Sequence, residues 1–200
     1  MDNNFYSQLT QKSLANELLP KEICGEILTS NDIELLSLLN AAYNVRREYF
    51  GNEVKIHVIN NVQNGYCSED CRYCAQSKET NAKISEYPMK SDEQIIQEAK
   101  NAYENGAFRY CMVFSGKQLS KKRAEHLSSL IHQIKSKYPI QVCVSHGQVD
   151  KKVASVLKEA GLNRINHNLN TSRRYYPQIC TTHTYEDRLA TLKNAREVGL

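Results

Sequence analysis

Apolar positions along the chain first recur at helical spacing. From about residue 55 they gather into short runs that alternate with capped amphipathic stretches. Ile33, Leu36, Leu39, Ala42 and Tyr43 follow Asn31, with Glu34 completing a capping-box pattern, so an amphipathic helix is expected over 31–49, stopped by Gly51. A second helical stretch covers about 11–28 and is interrupted by Pro20. Val54 to Ile59 reads as a strand. Ser91 and Gln94 cap a helix through Ile95, Ile96, Ala99, Ala102 and Tyr103 that ends at Gly106, and Phe108 to Phe114 is the next strand. Ser120 starts a helix through Ala124, Leu127, Ile131 and Ile134, followed by a third strand from Ile140 to Val144. Asp150 caps a helix through Val153, Leu157 and Ala160, stopped by Gly161, and a fourth strand is expected at about 163–169. Thr184 with Asp187 opens a last helix through Leu189, Leu192 and Ala195, closed by Gly199.

Four repeats of strand then helix imply an α/β protein with a parallel sheet and helices packed outside it. The spacing suits a partial (β/α) barrel of the TIM type, its first four strand–helix units preceded by N-terminal helices. The expected division is a helical segment over 1–50 and a barrel portion over 51–200. Chemistry in such a barrel sits at the C-terminal ends of the strands and in the loops that follow them. Four strands do not close an eight-stranded barrel. The expectation is therefore the N-terminal half of a longer protein, with a natural half-barrel that dimerises as the alternative.

Composition narrows the classes. With 40% hydrophobic residues among 200, the chain can bury a core. The net charge of +4 comes from Lys and Arg spread along the chain rather than gathered in a tract, which argues against a nucleic-acid partner. No run of 18 apolar residues exists, and Met1-Asp2-Asn3-Asn4-Phe5 lacks the basic and apolar regions of a signal peptide. No membrane association and a cytoplasmic location are expected. Seven cysteines, an odd number, then favour metal binding or catalysis over a disulfide framework.

Three of those cysteines, Cys67, Cys71 and Cys74, form C-x3-C-x2-C directly after the first strand. Thiolates suit Fe–S clusters, Zn and Cu(I), and three of them on one loop can hold a cluster with one iron left open. The nearest other candidates, Cys111, His57 and His126, are distant in sequence. A zinc loop closed by a distant residue is the alternative, although zinc spacings are usually paired C-x2-4-C units. In the fourth strand Asn166, Asn168 and Asn170 share one face by alternation, and buried amides at period two need partners, which inside a barrel means ligand. The alternative is that His167 and Leu169 point inward. Arg188 alone would be a solvated helix arginine, and Cys111 and Cys143 alone would be small buried hydrophobes. Cys24 and Cys180 have no motif partner and are taken as structural thiols.

The triplet, with Tyr73 just before its last cysteine, resembles the signature of the radical S-adenosylmethionine (SAM) superfamily. The wider string is similar to the biotin synthase family within it. The matching pieces are Val45 to Gly51, Asn64 to Ser77, Arg109-Tyr110-Cys111-Met112, Asn166 to Ser172, and Thr181 to Arg188. The resemblance implies a barrel fold and a [4Fe–4S] cluster on Cys67, Cys71 and Cys74, with SAM on the open iron. It implies that Asn168 and Asn170 meet substrate and the SAM ribose, and that Arg188 meets the SAM carboxylate. It further implies an auxiliary [2Fe–2S] cluster, the sulfur donor, with Cys111 and Cys143 among its ligands. The remaining ligands, a cysteine and an arginine, are absent from this chain.

The activity so implied is sulfur insertion into dethiobiotin to give biotin, started by a 5′-deoxyadenosyl radical. An electron donor such as flavodoxin or ferredoxin and a homodimer are implied with it, and the 200 residues alone are expected to be an incomplete, inactive fragment. No side chain is assigned a catalytic role of its own. Asn170 stands where the family often has Asp, His146 where it usually has an apolar residue, and Ser115-Gly116-Lys117 departs from its common Ala-Ala-Trp. A related maturase or mutase, or a non-catalytic Fe–S or zinc-binding fragment, are the rival readings.

Overall fold

The computed structural model describes residues 2–200, and the chain divides into two compact units on either side of Val54 and Lys55. The first holds α1 (Asn3–Leu14), α2 (Lys21–Thr29) and α3 (Leu35–Phe50). Tyr6, Leu9 and Ala41 form its small core, with Leu19, Ile23, Ile27 and Leu38 packed against them. The helices differ from the expected ones at their starts. Asp2 caps α1 by accepting from Phe5 N at 3.0 Å, so the first helix begins well before residue 11. Asn31 and Glu34 form no capping box: Asp32 N donates to Ser30 Oγ in a turn, and α3 starts only after Glu34, whose amide donates to Tyr6 Oη at 2.7 Å.

The second unit carries β1 (His57–Asn61), α4 (Asp92–Glu104), β2 (Arg109–Val113), α5 (Lys121–Lys137), β3 (Gln141–Ser145), α6 (Lys151–Glu159) and β4 (Arg164–Ile165). A short α7 (Tyr176–Ile179) and α8 (Tyr185–Glu197) follow. The strands form one parallel sheet in the order β1-β2-β3-β4, the arrangement a run of right-handed strand–helix–strand crossovers produces. Tyr110, Met112, Val142 and Val144 project from the central strands into a core shared with Ile95, Ala99, Leu127, Ile131 and Leu157 of the helices. Alternation puts Arg109, Cys111 and Val113 of β2, and Gln141, Cys143 and Ser145 of β3, on the opposite face, the inner face of a barrel.

The two outer strands depart from the sequence pattern. β1 starts three residues after its apolar stretch begins and ends two after it, because its register with β2 pairs His57 with Arg109 and Asn61 with Val113. Asn60 is tolerated there because its amide donates to Tyr110 Oη and accepts from Lys90 Nζ. β4 is two residues rather than seven. It pairs only with β3, its last rung is Asn166 N to Val144 O at 2.9 Å, and with no strand on its other side the chain leaves the ladder. Four caps are as the sequence implies: Ser91 and Thr184 make full capping boxes with Gln94 and Asp187, and Ser120 and Asp150 accept from Arg123 N and Val153 N.

Candidate metal centre

The cysteine loop leaves the C-terminal end of β1 under tight backbone control. Val62 N donates to Val113 O, Asn64 and Tyr87 exchange a pair of backbone hydrogen bonds, and Ser115 Oγ donates to Gly65 O at 2.5 Å. Gly65 sits at φ +76°, where a Cβ would meet the Glu86 side chain at 2.6 Å, so the turn into the triplet requires glycine. Cys74 N then closes on Cys71 O and Ser77 N on Cys74 O, wrapping the triplet into successive turns. Cys71 is buried, Cys67 and Cys74 half-buried, and all three line one cavity together with Phe114, His146, Asn168 and Arg188. Three soft donors convergent on one polar-walled cavity fit an iron–sulfur cluster.

The loop is pinned from the far side by the segment before α8. Asp70 accepts from the amides of Thr181 and Thr182, from both threonine hydroxyls and from Cys180 Sγ. Burial alone would raise the Asp70 carboxyl, but these donors outweigh it and hold it far below the usual carboxylate range. Glu69, its side chain 6% exposed, meets His183 Nδ1 at 2.7 Å and accepts from Thr182 Oγ1 at 2.8 Å. Lys117 Nζ donates to Thr182 O, adding the loop after β2 to the same clamp. Cys180 Sγ lies 3.8 Å from Cys71 Sγ, and burial together with that neighbour pushes the Cys71 thiol up to about 12. Among the described residues Cys71, Cys180 and His183 form a cluster of potential metal ligands.

Arg188 reaches the same cavity from the first turn of α8. Its Nε donates to Tyr176 Oη at 2.5 Å, Nη1 to Asn168 O at 3.0 Å and Nη2 to Tyr73 Oη at 3.1 Å. A guanidinium has five N–H donors, so each terminal nitrogen keeps one that these bonds do not use. Asn170 donates to Tyr73 Oη at 2.6 Å from a left-handed backbone at φ +66°. This turn breaks the strict alternation expected through 166–170. Asn166, Asn168 and Asn170 line the cavity, but His167 lines it too instead of turning to the helices.

Two histidines in that wall are incompletely paired. Gly147 N donates to His146 Nδ1 at 2.7 Å, which leaves His146 Nε2 buried without a partner, and His167 Nε2 is in the same condition. Burial, with the charge of Arg123 behind His146 and of Arg188 behind His167, pushes both imidazoles down to about 4.

Cys111 and Cys143 do not join the triplet's cavity. They lie directly opposite each other in the β2–β3 register, both buried, with Arg109 and Arg164 nearby. Their mutual hydrogen bond and their burial hold Cys111 protonated, while the bond it gives eases the proton off Cys143. Cys24 is exposed.

Cys180, which has no motif partner in the sequence and is taken there as a structural thiol, is buried in contact with Cys71, Asp70 and His183. The signal lay in the segments Glu69-Asp70 and Thr181-Thr182-His183, whose polar residues have no helical or strand reason to be there. Their meeting across more than a hundred residues is a tertiary event that no local spacing encodes.

A partial parallel barrel with a three-cysteine loop after its first strand and an arginine-bearing helix facing it defines a cluster-binding β/α class. Residues 62–200 match the radical SAM superfamily, and the chain belongs to it. Membership implies a [4Fe–4S] cluster and SAM as cofactors. The biotin synthase of Magnetococcus marinus is 54% identical over 192 residues, covering 96% of this chain and 60% of that one. That of Acaryochloris marina is 52% identical over 187 residues, covering 94% and 54%. The chain thus spans between about half and three-fifths of these relatives' length. Among solved structures, methylornithine synthase superposes with a TM-score of 0.82 at 20% identity, over 96% of this chain and 56% of that one. The FeFe-hydrogenase maturase HydG from Carboxydothermus hydrogenoformans gives 0.79 at 24%, over 98% and 46%. These two share the fold, which confirms the partial barrel expected from the strand–helix periodicity. No helix among the described residues is long and apolar enough to cross a membrane.

Proposed function

We propose that this chain performs the cluster- and SAM-binding part of a sulfur insertion that converts dethiobiotin to biotin. In this reading Cys67, Cys71 and Cys74 hold the [4Fe–4S] cluster and the two free N–H groups of Arg188 clamp the SAM carboxylate. Asn168 and Asn170 hydrogen-bond the ribose and the substrate, and Cys111 with Cys143 hold two positions of an auxiliary [2Fe–2S] cluster. When bound, the two clusters and SAM supply one-electron chemistry and sulfur, which no side chain offers. The chain's residues bind and orient. Tyr73 joins Asn170 to Arg188, and the Asp70 clamp holds the cysteine loop against the segment that leads into the helix carrying Arg188. The same reading gives the protein a small flavodoxin- or ferredoxin-type electron donor, a homodimeric state and a place in the cytoplasm.

The observation that carries sulfur insertion, as against the chemistry of a related maturase or mutase, is the in-register Cys111–Cys143 pair beside two arginines on the sheet's inner face. High identity to two biotin synthases supports it. The test is anaerobic reconstitution with iron and sulfide of the full-length protein and of its Cys111→Ala/Cys143→Ala double variant. Iron and sulfide should fall in the variant while SAM-dependent release of 5′-deoxyadenosine persists. An unchanged iron count would rule out the pair as ligands, and failure of the parent protein to form biotin from dethiobiotin would overturn the substrate.

A further inference from the structure

The cluster of sulfur and nitrogen donors behind the triplet has the dimensions of a different metal site. Around a tetrahedral zinc ion, two thiolates at about 2.3 Å lie about 3.8 Å apart, and a thiolate and an imidazole nitrogen about 3.5 Å apart. Cys71 Sγ and Cys180 Sγ are 3.8 Å apart, and Cys180 Sγ is 3.3 Å from His183 Nδ1. A disulfide would need about 2.0 Å. The site also has what a zinc-class ion requires beyond its ligands. It is buried: Cys71, Cys180 and His183 are 7%, 4% and 8% exposed. Binding through His183 Nδ1 displaces the 2.7 Å contact which that nitrogen makes with Glu69 Oε2, and the three donors are the ligands the described residues supply.

We propose that Cys71, Cys180 and His183 form a binding site for a divalent ion of the zinc class in the cluster-free protein, and that an ion held there excludes the iron–sulfur cluster by occupying Cys71. Binding releases the two thiol protons to solvent and leaves His183 with its remaining proton on Nε2. The two thiolates offset the ion's two positive charges. Cys67 and Cys74 take no part, so this site and the triplet share one ligand and differ in the rest. The exclusion rests on the cluster assignment to the triplet; the ion site itself does not.

Cobalt(II) titrated anaerobically into the cluster-free full-length protein tests both statements. The expected spectrum has a thiolate-to-cobalt charge-transfer band and the intense visible bands of tetrahedral cobalt, saturating at one ion and abolished by added zinc. Cys180→Ser and His183→Gln should each weaken binding by well over roughly 100-fold, beyond the 10–100-fold that loss of a supporting residue costs, while Cys67→Ser, matched in circular dichroism, should bind as the parent does. Loss of the spectrum in Cys67→Ser, its survival in Cys180→Ser, or no tetrahedral cobalt in the parent would overturn the site. In a second arm, zinc-loaded parent protein should fail to take up iron and sulfide until a chelator is added, whereas Cys180→Ser should reconstitute equally with and without zinc. Equal reconstitution of the zinc-loaded parent would overturn the exclusion, and absence of any cluster in zinc-free protein would instead count against the cluster assignment while leaving the cobalt result standing.

Discussion

At the scale of single residues, Tyr73 does more than precede a cysteine. Its hydroxyl is the shared partner of Arg188 Nη2 and Asn170 Nδ2, the two groups proposed to meet SAM. Tyr73→Phe keeps the ring and removes that link, each hydrogen bond to a charged group contributing about 1.5–3 kcal/mol. SAM affinity should fall about tenfold with iron content unchanged, read by equilibrium dialysis of the reconstituted protein. His146 gives a pH dependence of stability. Its folded pKa, about 4, lies below the ordinary 6.5, so the unfolded chain binds the proton first. The stability this neutral imidazole permits is present above pH 6.5 and is lost as pH falls toward 4, by up to about 3 kcal/mol. Urea midpoints measured from pH 7 to 4.5 should decline, and His146→Leu should flatten part of the decline by removing both the titration and the unpaired Nε2. An identical slope in the variant would refute the assignment.

At the scale of elements, the central strands and helices were legible in the sequence because burial on both faces or one helical stripe writes itself into apolar spacing. Tyr110, Met112, Val142 and Val144 mark β2 and β3, and Leu127, Ile131 and Ile134 mark α5. The outer strands were not, since β1 ends in two asparagines satisfied by Tyr110, Lys90 and the ladder, and β4 is short for want of a second neighbour. Spacing and resemblance singled out the triplet, Arg188 and the asparagines, which line one cavity, whereas the Asp70 clamp and the contacts of Cys180 depend on a closure visible only in three dimensions. That closure also depends on one helix end. Thr184 and Asp187 satisfy each other's amides at the start of α8, one turn from Arg188. Thr184→Ala should cost about 1 kcal/mol in a urea transition and also weaken SAM binding, because the arginine is carried by the turn that frays. Ser120→Ala, at the equivalent cap of α5, should cost a similar amount and leave SAM binding untouched.

At the scale of the whole molecule, the sheet presents two strands, β1 and β4, each paired on one side only. Unpaired strand edges recruit other strands unless charge, a bulge or a covering element blocks them. β1 offers little protection: Ile59 on its inner face is 69% exposed and carries no neighbouring acid or base on its own strand beyond His57. The relatives it matches extend beyond the part this chain covers, which is 60% and 54% of their length. The 200 residues on their own should therefore associate in a concentration-dependent way, with the inner face and the strand edges of the sheet contributing, whereas α4, α5 and α6 already bury their apolar sides in the core. Light scattering across a dilution series should show mass rising with concentration, and Ile59→Lys should reduce it, since a charge on an edge strand opposes strand addition. A mass that stays at 22.9 kDa at every concentration would show that the open sheet is protected by the chain itself.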